Sequence, residues 1–96
     1  MHLIVSWDIR ASGERRAEID GAMKQGLDGY SWIQALSSFY IVEIISQFDW
    51  NRIQERLLSI TQSFADEVNF IMSPVYHEET DYFVFHIPDD NFYRQA

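Results

Sequence analysis

The 96-residue chain predicts an α+β fold. The specific expectation is a ferredoxin-like split βαβ sandwich (β-α-β-β-α-β), with both helices on one face of an antiparallel sheet and an extra C-terminal strand. Three observations carry this. An alternating apolar run opens the chain. An aromatic and β-branched stretch from Ser31 to Ile45 is interrupted at Leu36-Ser37-Ser38. Two segments with helical spacing follow the first and third strands.

The first strand, about 2–9, sets Leu3, Val5, Trp7 and Ile9 on one face and Ile4, Ser6 and Asp8 on the other. Both faces start apolar, which suits a central strand whose far end meets solvent. A helix over about 13–27 follows, with Ser12 as N-cap, Glu14 favouring the dipole, and Ile19, Met23 and Leu27 on one face. Gly26 and Gly29 punctuate its exit. Ser31 to Ile45 is too long for one strand and reads as two, about 31–36 and 38–45, joined by a tight turn or bulge. The second helix, about 50–65, carries Trp50, Ile53, Leu57, Ile60 and Phe64 in a 3-4-3-4 stripe. Asp49 reads as its N-cap and Phe48 with Ile53 as a hydrophobic staple; Arg52 stands where a capping box needs Glu, so no box is expected. In the fourth strand, about 67–73, Val68, Phe70 and Met72 alternate with Asn69, Ile71 and Ser73, and Pro74 ends it or confines it to an edge. Tyr82 to Ile87 is a fifth strand, about 82–87, too apolar to stay an exposed edge.

Composition bounds the function. One domain is expected over 1–96, burying about 60–65% of its unfolded surface. Hydrophobic residues make up 47%, with seven Phe, five Tyr and three Trp, a surplus that a homodimer would hide. The fifth strand would then add to the partner's sheet edge. The chain has no cysteine, which excludes disulfides and thiolate metal sites. No apolar run nears the roughly 20 residues of a membrane span, and no signal-peptide pattern opens the chain, so no membrane association and a soluble, cytoplasmic protein are expected. Net charge is −8. Residues 66–96 hold seven acids against one base, Arg94, whereas residues 1–65 are near balance. Such a chain repels a phosphate backbone unless its bases cluster locally.

Few residues stand out as chemistry. Asp8 is a strand-end carboxylate that either meets a ligand or pairs with Arg10. Ser6, Ser37 and Ser38 come near it when the first and third strands are neighbours, to position a phosphate or simply to satisfy backbone groups. Arg10, Arg15 and Arg16 form the one basic cluster. They suit either a phosphate clamp at the mouth of the first helix or ordinary surface pairing, Arg15 with Glu18 and Arg16 with Asp20. Trp7, Trp32, Phe39 and Tyr40 could stack bases or belong to the core or a dimer interface. His2, His77 and His86 make no ligand set, and no nucleophile-elbow or glycine-rich phosphate motif is present.

Val5-Ser6-Trp7-Asp8-Ile9 is similar to a V-x-Y-D-I first strand, and residues 32–42 to an aromatic–x–x–x–L–x–S–x–aromatic segment. With the order of elements over about 2–87, these make the chain resemble the small CRISPR-associated endoribonucleases, whose dimer bridges the spacer-acquisition integrase. Its relatives, the virulence-associated protein D toxins and the SinR-like proteins, are resembled too, and the second segment looks most like the SinR-like one. Trp7 stands where the family usually has Tyr, and the bases after Asp8 are thinned to Arg10, Arg15 and Arg16. The resemblance implies a homodimer in which Asp8 of each protomer meets its twin across the two-fold axis and the pair holds Mg²⁺. It also implies metal-dependent phosphodiester hydrolysis of nucleic acid. The charge supports a different class, a non-enzymatic acidic interaction module. Such a module would bind a basic protein, or mimic nucleic acid to inhibit a defence or nucleic-acid-processing complex.

Overall fold

The computed structural model describes residues 2–75 and 93–94. They form an α+β fold in the order β1 (His2–Ile9), α1 (Gly13–Gln25), β2 (Ser31–Leu36), β3 (Phe39–Glu43), α2 (Gln47–Ser63), a 3-10 turn (Ala65–Glu67), β4 (Val68–Val75) and β5 (Tyr93–Arg94). The sheet runs β4-β1-β3-β2-β5, with every pairing antiparallel. Its four long strands and two helices are the ferredoxin-like split βαβ arrangement. The strand expected at about 82–87 lies outside the described residues, as do His77 and His86. The short β5 pairs with β2 through Ser31↔Arg94 and Trp32↔Tyr93.

The alternation in β1 sorts its side chains as the sequence requires. Leu3, Val5, Trp7 and Ile9 are buried against the helices, whereas Asp8 is exposed on the other face. They join Ile19, Met23 and Leu27 from α1 and its exit, and Ile53 and Leu57 from α2, in one core. Trp7, Trp32 and Tyr40 belong to this core too, with Trp7 stacked on Tyr40 at 4.0 Å between ring centroids, so these three cannot serve as base-stacking platforms. Phe39 is half-buried. On the other face Ile4, Ile41 and Ile33 align in register, and the latter two are buried.

Several local expectations are corrected. The turn at Ser37-Ser38 is present, but β3 starts at Phe39 and ends at Glu43, with a register shift between Gln34 and Leu36. α2 begins three residues early, at Gln47, capped by Ser46 rather than Asp49. Asp49 instead occupies the third helical position, as the acidic partner in a capping box. Its Oδ2 accepts from the N–H groups of Ile45 (2.8 Å) and Ser46 (3.3 Å). Phe48 is 79% exposed, so it makes no staple with Ile53. Asp20 does not pair with Arg16: it binds Lys24 Nζ at 2.9 Å and accepts from Trp7 Nε1 at 3.1 Å, a buried indole needing an acceptor. Pro74 is accommodated inside β4 because, among the described strands, that strand lies at the sheet edge. No helix of the described residues is long and apolar enough to cross a membrane.

Candidate functional site

The C-terminal end of β1 carries Asp8 on the helix-free face. Antiparallel pairing sets Asn69 of β4 directly opposite it and Ile71 opposite Ser6, while Phe39 flanks Ser6 from β3. The result is a shallow cavity of about 240 Å³ lined by Ser6, Trp7, Asp8, Ser38, Asn69, Phe70 and Ile71. Asp8, Ser6 and Ser38 are therefore brought together, as the neighbouring of the first and third strands predicts. Ser37 does not line the cavity. Its carbonyl accepts from Gln34 Nε2 at 2.9 Å and holds the hairpin turn.

Asn69 is the member that sequence reading missed. The signal was available: Asn69, Ile71 and Ser73 share one face of a strand that this topology sets beside the first. Only the register, Asp8↔Asn69, turns that into a contact. The other rim is apolar. Ile71 is 73% exposed, and the cross-sheet row Ile71–Ser6–Phe39–Leu36 ends at Leu36, 66% exposed.

The three arginines take different partners. Arg15 forks onto Glu67, Nη2 to Oε1 at 2.7 Å and Nε to Oε2 at 3.1 Å, reaches Glu18 at 3.5 Å, and lies over the Phe64 ring at 5.0 Å. This guanidinium holds the Glu67 carboxyl below the usual carboxylate range. Arg16 Nη1 donates to the Ile9 carbonyl at 3.0 Å. Arg10 donates its backbone N–H to the Glu67 carbonyl at 2.7 Å, and the residue is exposed.

The polar groups around Asp8 are all hard-oxygen donors: one carboxylate, one amide and two hydroxyls. Among the described residues no three His, Asp or Glu side chains converge, and Asp8 is the one carboxylate among the described residues that line this cavity. Comparison with protein families, with curated proteins and with solved structures found no match to this chain.

Proposed function

We propose that the protein is a homodimer that processes nucleic acid at the Asp8 end of its helix-free sheet face, with Mg²⁺ as cofactor. The observation that carries this reading is the convergence of Asp8, Asn69, Ser6 and Ser38 in one open cavity. Their oxygen donors suit Mg²⁺, which takes one or two carboxylates and completes its shell with water and phosphate. Asp8 would hold the ion, with the Asn69 amide oxygen beside it. The bound ion supplies Lewis-acid stabilisation of charge on a phosphodiester. The Ser6 and Ser38 hydroxyls and the Asn69 amide N–H₂ donate to non-bridging phosphate oxygens. The dimer supplies the second carboxylate, and exposed Ile71 and Leu36 are the apolar contacts that support such a pairing.

Cleavage of labelled single-stranded RNA and DNA, with Mg²⁺ and with chelator, tests the reading. Metal-dependent cleavage is expected in the native dimer and is lost in Asp8→Asn, which keeps the shape but removes the charge, with dimer mass unchanged by light scattering. Cleavage that persists in Asp8→Asn refutes the site.

The charge distribution favours a second reading, the acidic interaction module. Arg15 is paired with Glu67, which offsets one of the three clustered bases, and the chain as a whole carries −8. Absence of cleavage under any divalent metal, with nucleic-acid binding undetectable at low salt, is the outcome that selects it.

A further inference from the structure

The other end of the sheet holds a larger cavity, about 420 Å³, which the Asp8 reading does not use. It forms where β3 ends at Glu43, the chain passes Ile44 and Ile45, and α2 begins. Its polar wall is His2, Tyr30, Ser31, Glu43 and Asp49. Gly29 is among the residues that line the cavity and has φ +90°, a conformation that favours glycine.

Its two carboxylates differ in their engagement. Asp49 is fixed: Oδ1 accepts from Tyr30 Oη at 3.2 Å and Oδ2 from two backbone N–H groups. Those backbone bonds, from Ile45 foremost, hold its carboxyl below the usual range, so it is charged at neutral pH. Glu43 stands 4.0 Å from His2 Nε2, with its side chain 43% exposed. The nearby Arg56 turns to the Asp28 carbonyl at 2.7 Å and over the Tyr30 ring. Ile45, which lines the cavity, is 92% exposed, and Phe48, next in the chain to the lining residue Asp49, is 79% exposed; they are the two most exposed large apolar side chains among the described residues. Adjacent exposed apolar residues beside a polar cavity mark a contact surface.

We infer that this end of the sheet docks a basic peptide segment of a protein partner, whose lysine or arginine side chain enters the cavity towards Glu43 and Asp49 while its apolar neighbours cover Ile45 and Phe48. Charge complementarity selects this occupant. The cavity presents two carboxylates, Glu43 with a part-exposed side chain and Asp49 with Arg52 already acting on it, and the whole chain carries −8, so a cation would gain from Glu43 foremost and from the long-range field. The volume lies within the roughly 300–1,000 Å³ range of small-ligand sites and accommodates one long side chain.

The test is an NMR titration of the ¹⁵N-labelled full chain with an amidated hexapeptide of alternating lysine and leucine. Saturable shifts are expected at the amides of Gly29, Tyr30, Ile45 and Phe48, and none with the glutamate–leucine counterpart. Glu43→Gln is expected to weaken binding at least fivefold and Glu43→Lys to abolish it. Phe48→Ser, which leaves charge unchanged, also weakens binding, whereas Leu58→Ser on the outer side of the same helix does not. Both Glu43 and Phe48 lie at the surface, and retention of the native spectrum confirms folding. Shifts scattered over other acidic surfaces, or wild-type affinity in Glu43→Gln, overturn the inference. So does a chain that ignores the peptide but converts from dimer to monomer on Phe48→Ser, since the surface would then serve a second copy.

Discussion

Gly26 is expected to resist replacement by alanine, and only while Leu57 is present. Gly26 caps α1 with φ −63° and ψ −19°, a conformation any residue adopts. Backbone entropy and propensity alone would thus favour alanine by about 0.5–1 kcal/mol. A Cβ placed there, however, lies 2.8 Å from Leu57 Cδ2 and 3.2 Å from Ile60 Cδ1. Leu57 is fully buried in the same core as Ile19, Met23, Leu27 and Ile53, so a shift of its side chain disturbs close-packed neighbours. Overpacking of this kind costs about 1–3 kcal/mol. The steric cost exceeds the entropic gain, so Gly26→Ala should destabilise by ~0.5–2 kcal/mol, each kcal/mol lowering Tm by roughly 4–8 °C in a domain of this size. Leu57→Ala alone should cost about 2–5 kcal/mol through the cavity it leaves. In the double variant the shortest contact is gone, and the added methyl fills part of that cavity. Gly26→Ala should then be neutral or favourable, with a coupling energy of ~1–2 kcal/mol. Urea melts of the four proteins, read by tryptophan fluorescence, measure this cycle. A stabilising Gly26→Ala in the wild-type background, or additivity within about 0.5 kcal/mol, would refute the packing argument.

Tyr40 Oη is buried without a hydrogen-bond partner among the described residues, so Tyr40→Phe should be neutral or stabilising by up to ~1 kcal/mol in the same melts; a larger loss would reveal a bridging water. Burial, with Asp20 adding to it, pushes the Tyr40 hydroxyl up to about 12. Above roughly pH 10 the unfolded chain has released this proton and the folded chain has not, so stability should fall as pH rises towards 12, and Tyr40→Phe should flatten that limb. Ala65 follows the α2 cap with φ +51°, where glycine is the usual residue, and Ala65→Gly should stabilise by about 0.5–1 kcal/mol, measured as a higher urea midpoint; a lower midpoint would mean the methyl is packed.

The sequence by itself determined the order, type and approximate span of the elements from residue 2 to residue 75, together with the faces of β1 and of both helices. Those features are local. Alternation in Leu3, Val5, Trp7 and Ile9, or helical spacing in Ile19 and Met23, is written within one element and survives whatever packs against it. It also made Asp8 a candidate, with Ser6 and Ser38 beside it. Tertiary structure decided which partners the polar groups take. Ser46 and Asp49 both suit a cap, and the frame chosen is the one that buries Ile53 and Leu57 while Phe48 is left in solvent. Asp20 meets the Trp7 indole in place of Arg16, and Arg15 meets Glu67, 52 residues away, beside the Glu18 that spacing alone suggests. Asn69 faces Asp8 because of strand register. These choices compare partners far apart in the chain but close in energy, each hydrogen bond being worth only about 1 kcal/mol net. The larger free energy of burying the apolar core settles them, because it fixes register and helix placement and so which polar side chains can meet.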